Sequence, residues 1–141
     1  MRGVISFGVD ENGKFYFESA SARYDTEITP SEKEKEALGY IVAAVGDLAD
    51  ELRFYRRSDS YLTVCICSPN CDFLRLKATE RALWFSLDMW GSPFAKSALF
   101  DSVQNKKQRH WKVNLSRVED IAAYAEAIRE AAERNAKNAK V

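Results

Sequence analysis

The sequence predicts an α+β fold: an antiparallel meander sheet of about five to six strands, with a long amino-proximal helix and a carboxy-terminal helix packed on it. Three observations point there. Two capping-box patterns, Thr29-Pro30-Ser31-Glu32 and Ser116-x-x-Glu119, each open a stretch whose apolar residues recur at helical spacing. Between them, residues 61–67, 71–78 and 81–89 alternate in polarity and are joined by short loops. Ahead of both, Asn12-Gly13 separates two strand-like runs and suits a type I′ hairpin turn.

The elements follow in order. Residues 4–9 and 14–19 form the first hairpin, and residues 20–28, small, polar and without period, read as a loop. Thr29 caps the first helix, Pro30 takes its first position and Glu32 completes the box. Leu38, Ile41, Val42, Val45, Leu48 and Leu52 then define one buried stripe, opposite an acidic face. In the meander, pairing Cys67 with Cys71 sets Val64 against Leu74 and Leu62 against Leu76. Pairing Lys77 with Ala82 sets Leu76 against Leu83 and Leu74 against Phe85. One sheet face is then wholly apolar under both pairings, which supports the register.

Residues 92–107 read as irregular, with a short helical piece near 93–100. A further strand, 109–115, puts Trp111, Val113 and Leu115 on one side and His110, Lys112 and Asn114 on the other. The last helix carries Ile121, Ala125, Ile128 and Ala132 on one stripe, with Tyr124 beside it, and is expected to fray after Arg134. The chain thus reads as a single domain. Residues 1–28 are its hairpin and loop, 29–135 a helix–meander–helix body and 136–141 a frayed tail.

At 141 residues, 46% of them hydrophobic, the chain can bury one real core. No apolar run approaches the length that crosses a bilayer, and the first ten residues are interrupted too early for a signal peptide. Three cysteines are an odd number for a secreted framework, so a cytoplasmic protein is expected.

The formal net charge is zero, but the charges are segregated. Residues 1–52 hold 5 Lys+Arg against 11 Asp+Glu, whereas residues 53–115 hold 11 against 5. Such polarisation speaks of partners rather than fold. The polar face of the meander carries Tyr61, Thr63, Cys65, Phe73, Arg75, Lys77, Trp84 and Ser86. In the register above Arg75 sits opposite Trp84, close enough for a guanidinium to stack on an indole. Aromatics among cations on a sheet stack bases and neutralise phosphate. Lys106, Lys107, Arg109, His110 and Lys112 extend the basic surface, to which Arg53, Arg56 and Arg57 belong in sequence only. In a competing arrangement the helices cover both sheet faces, and Arg75 merely pairs with a carboxylate of the first helix.

These residues predict a non-catalytic binding module for nucleic acid or a nucleoprotein. The alternative is a protein-interaction module, including an inhibitor of the kind phages encode, acting through Glu32, Glu34, Glu36, Asp47, Asp50 and Glu51. Head-to-tail self-association of the opposite charged ends is a related expectation. A third reading is a pocket for a small anion lined by Arg75, Trp84 and His110.

An enzyme is the least favoured class. The chain has one histidine and no Gly-x-Ser-x-Gly elbow, phosphate-cradling glycine loop or His-Glu-x-x-His. Arg75-Leu76-Lys77 lacks the carboxylate that a restriction-nuclease-like hairpin places two residues before its lysine. Cys65, Cys67 and Cys71 with His110 do not match zinc-knuckle spacing, and reduced thiols in a hairpin are expected. No cofactor or metal follows.

Tyr61-Leu62-Thr63-Val64, Asp72-Phe73-Leu74-Arg75-Leu76-Lys77 and His110-Trp111-Lys112-Val113, leading into Ser116-x-x-Glu119-Asp120-Ile121, together resemble a known pattern. It is that of small bacterial domains described as predicted transport proteins and found appended to restriction or nuclease-type proteins. The resemblance covers roughly residues 30–135 and leaves out residues 1–28. It implies nucleic-acid or defence-related biology and carries over no active-site residue.

Overall fold

A computed structural model of the chain describes residues 4–9, 15–19, 31–58, 61–66 and 71–139. The class is α+β, with an antiparallel sheet and two helices, as the sequence predicts. In chain order the elements are β1 (Val4–Val9), β2 (Phe15–Ser19), α1 (Glu32–Val45), β3 (Leu52–Ser58), β4 (Tyr61–Ile66), β5 (Asp72–Ala78), β6 (Leu83–Asp88), β7 (His110–Asn114) and α2 (Ala125–Ala139). The strands lie in the order β2-β1-β3-β4-β5-β6-β7, every neighbouring pair antiparallel. That is seven among the described residues, where five to six are expected, and β3 is the addition. The first hairpin pairs Phe7 with Phe17, while its Asn12-Gly13 turn and the 20–28 loop lie outside the described residues.

Helix α1 starts two residues later than Thr29 would place it, and Thr29 and Pro30 lie outside the described residues. Ser31 is the cap. Its hydroxyl accepts the Glu34 N–H at 3.1 Å, and the Glu34 carboxylate accepts the Ser31 N–H at 2.9 Å. Glu34, not Glu32, therefore completes the box and is buried there. Leu38, Ile41 and Val45 are buried as the stripe requires. Leu52 is not on that stripe. Gly46, at φ +61°, stops the helix, a 3₁₀ turn follows, and Leu52 opens β3.

The β4–β5 register matches the expectation where Leu62 faces Leu76 and Val64 faces Leu74. A bulge then slips the ladder by one, so that Ile66 donates to the Cys71 carbonyl at 3.1 Å and Cys71 no longer stands opposite Cys67. Cys67 itself lies outside the described residues.

The β5–β6 pairing differs by two residues. Leu76 meets Phe85, Leu74 meets Leu87, and Arg75 stands opposite Ser86 rather than Trp84. The turn decides this. Thr79 donates its N–H to the Ala82 carbonyl at 2.8 Å, and its hydroxyl accepts the Ala82 N–H at 3.0 Å. Residues 79–82 thus form the loop, and Ala78 pairs with Leu83. A two-residue shift preserves the side-chain period, so the apolar face survives intact.

Both helices pack on that apolar face. Leu38 and Ile41 of α1 and Ile128, Ala131 and Ala132 of α2 share one core with Leu62, Val64, Leu74, Leu76, Phe85 and Val113. The competing arrangement, with a helix on each face, is therefore not what the chain adopts. The second capping box sits one residue later than Ser116 predicts: Asp120 accepts the Arg117 N–H at 3.0 Å. A 3₁₀ segment, Val118–Tyr124, leads into α2. Nor does the chain fray at Arg134, because Asn135 and Ala136 are buried and α2 runs to Ala139.

Candidate nucleic-acid interface

The polar sheet face falls into three rows running from β4 to β7. The first carries Tyr61, Lys77, Trp84 and Asn114; the second Thr63, Arg75, Ser86 and Lys112; the third Cys65, Asp88 and His110. Exposure decreases across them. Tyr61, Lys77 and Trp84 are half-buried and Asn114 exposed, whereas Cys65 and Asp88 are fully buried. Phe73, at the bulge, is also fully buried, so the accessible part of the face is the first row and the β7 side of the second.

In that accessible part the aromatics and cations meet. The Tyr61 and Trp84 rings lie 6.1 Å apart at 47°, across the intervening strand β5. Lys112 Nζ stands 4.9 Å from the Trp84 ring centroid, and the Arg75 guanidinium 5.9 Å from that of Tyr61. Arg75 also pairs with Asp72 of its own strand at 3.3 Å, rather than with a carboxylate of α1. The stacking partner expected for Trp84 was Arg75. Lys112 takes that place because the two-residue slip carries Arg75 along the strand.

The remaining basic residues do not join this group. Lys106, Lys107 and Arg109 lie around a separate cavity with Trp90 and Trp111. His110 and Lys112 also border a second cavity of about 240 Å³ together with Ser102, Gln104, Asn105 and Asn114. Arg75 and Trp84, expected to line a small-anion pocket with His110, do not border this cavity. Side chains of Arg53, Arg56 and Arg57 lie outside the described residues.

His110 is nearly buried, with Nε2 3.9 Å from the Asp72 carboxylate and Nδ1 without a hydrogen-bond partner. Burial, reinforced by the Arg75 charge, holds its pKa below 6.5 against the opposing pull of Asp72 and Asp88. The ring is therefore neutral at pH 7. As the chain's single histidine it should give one resolved set of proton NMR resonances titrating below pH 6.5. A midpoint at or above 6.5 would mean that the carboxylates outweigh desolvation.

The acidic residues are mostly engaged. Glu34 belongs to the cap, Glu32 pairs with Lys35 at 3.2 Å, and Asp47 pairs with Arg129 of α2 at 3.3 Å. Glu36 is exposed, beside Lys33 and Lys35 in an open depression. Glu51 is half-buried, and the side chain of Asp50 lies outside the described residues. The α1 surface is therefore of mixed sign rather than an acidic patch.

Sequence reading missed Asp88, whose carboxylate accepts four hydrogen bonds. It is fully buried at the end of β6. One oxygen accepts the Trp90 N–H and Arg109 Nε–H at 3.1 Å each; the other accepts from Arg109 Nη2 and Asn135 Nδ2 at 3.0 Å each. Arg134 reaches the same carboxylate at 3.4 Å and donates to the Asp88 carbonyl at 2.8 Å. Asp88-Met89-Trp90-Gly91 after a strand carried a signal, since Asp followed by Gly at this spacing marks a side-chain-closed turn. Gly91 indeed adopts φ +84°.

Among the described residues no group of three or more His, Cys, Asp or Glu is placed to hold a metal ion. No helix among them is long and apolar enough to cross a membrane. No protein-family model matches the chain, and neither does any curated protein sequence or solved structure.

Proposed function

We propose that the chain is a non-catalytic nucleic-acid-binding module that uses the accessible part of its polar sheet face for single strands. The observation that carries this is the Tyr61–Trp84 pair with Lys112 and Arg75 over its rings, on the face away from both helices. Aromatic faces accept unpaired bases of any sequence, and the flanking cations meet the backbone phosphates. Lys77, between the two aromatics in the first row, adds a third charge. The resemblance of residues 30–135 to domains attached to restriction or nuclease-type proteins favours a defence-related setting.

Fluorescence anisotropy with labelled single- and double-stranded DNA and RNA, at low and physiological salt, tests it. Single strands should bind best, with affinity falling as salt rises. Trp84→Ala should weaken binding about tenfold, the loss of one base stack. Lys112→Glu should weaken it and flatten its salt dependence. Absence of binding at low salt, or binding indifferent to both substitutions, would retire the reading.

A further inference from the structure

We infer that the cavity beside the start of β7 is a seat for one nucleotide, its base against Trp90 and its phosphate on Lys106 and Lys107. This seat is separate from the sheet face proposed above and stands on different residues. The cavity measures about 230 Å³ and is bordered by Trp90, Trp111, Lys106, Lys107 and Arg109. It contains no carboxylate in its wall.

The argument begins with Trp90. Its side chain is large and apolar, yet the residue is 72% exposed. An indole in that position would ordinarily sample many orientations. Here the backbone on both sides of it is clamped. Its N–H is held by the buried Asp88 carboxylate at 3.1 Å, and its carbonyl accepts from Arg134 at 2.6 Å. Arg109 grips Asp88 through two nitrogens, and its guanidinium lies 5.8 Å from the Trp90 ring centroid. Strand β6, the segment entering β7 and helix α2 all converge on the backbone that carries this solvent-facing ring, and Arg109 lies against the ring itself. Core packing does not need this ring, because it is mostly in water. Holding an aromatic platform in place before a ligand arrives lowers the ordering cost of binding.

The charges supply the other half of the ligand. Asp88 is neutralised by Arg109 and Arg134. Lys107 is exposed, and Lys106 lies 5.5 Å from the Trp111 ring centroid. Neither lysine has an ion-pair partner among the described residues. A flat apolar group on Trp90 and an anion on two ammonium groups that no carboxylate among the described residues neutralises describe a nucleotide. A free mononucleotide and the phosphorylated end of a strand share this chemistry.

Calorimetric titration with AMP and UMP, and anisotropy with a 5′-phosphorylated oligonucleotide against its unphosphorylated twin, separate the two sources. Trp90→Ala and Lys107→Glu should each lower affinity for AMP or UMP, or the preference for the 5′-phosphorylated strand over its twin, at least tenfold. Both substituted side chains are exposed, so the fold should persist, and an unchanged circular dichroism spectrum checks this. Response to AMP or UMP assigns a free nucleotide; preference for the 5′-phosphorylated strand alone assigns a strand end. If neither responds, or binding ignores Trp90→Ala, the seat does not exist. Strand binding that depends on Trp84, with no ligand sensitive to Trp90→Ala, would leave the sheet-face proposal standing and overturn this one.

Discussion

Replacing Asp88 by alanine is expected to lower the unfolding free energy by about 3 kcal/mol, the lower end of the cost of breaking a buried ion pair. The side chain accepts four hydrogen bonds from β6's own turn, from Arg109 and from Asn135, and no solvent reaches it. Removing it strips the Trp90 N–H of its acceptor and leaves two guanidinium groups without their shared carboxylate. Arg109 is half exposed and Arg134 keeps Glu130 at 2.8 Å, which is why the loss stays at the lower end. The effect has a pH signature. Burial alone would raise the Asp88 pKa, but hydrogen bonds from Arg109, Asn135 and the Trp90 N–H, with the Arg109 charge, hold it below 3.8. A depressed folded value means that the stabilisation is fully present above pH 3.8 and fades as pH falls through the folded value. Urea denaturation of wild type and Asp88→Ala should therefore show a gap that is constant near neutrality and narrows in acid. A gap unchanged down to the acid limit would show that the ionised carboxylate is not its source.

The second large effect is expected at Phe100, where alanine should cost about 3–5 kcal/mol through lost burial and an unfilled cavity. Phe100 is fully buried although it belongs to the irregular 92–107 stretch. Its ring meets Trp111 edge-on at 5.8 Å and Tyr124 at 5.6 Å, and Tyr124 donates to the Leu99 carbonyl at 3.2 Å. One side chain thus joins the long connection, edge strand β7 and the approach to α2. Denaturant unfolding should show the loss, and near-ultraviolet circular dichroism should lose the signal of the packed aromatics. A cost under about 1 kcal/mol, typical of a surface substitution, would mean that the connection lies on the core rather than within it.

The faces of the sheet were legible because side-chain alternation survives errors of register. Leu62, Val64, Leu74, Leu76 and Phe85 are buried together even though Leu74 and Leu76 each met a different residue of β6 than expected. The register itself was not legible, since the Thr79 hydroxyl, a single local hydrogen-bond acceptor, chose which four residues turn. Leu52 was misread for a related reason. Helical spacing continues on paper past Gly46, but the backbone does not. Of the candidate site, the side-chain partnerships differ from those the sequence predicts. Tyr61 and Trp84 meet across a strand, and Lys112, far away in sequence, covers the indole.

By itself the sequence determined the α+β class, the apolar face of the meander and most of the buried stripe of each helix. Each of these rests on period and composition, which act over a few residues. Only the tertiary structure decided that both helices share one face, which leaves Tyr61, Trp84 and Lys112 accessible, and that Asp88 gathers Arg109, Arg134 and Asn135 around an exposed Trp90. The Asp88–Asn135 bond spans 47 residues. Bringing a buried carboxylate to donors at that separation is settled by how the layers pack, because no local pattern encodes which charges must neutralise one another once water is gone.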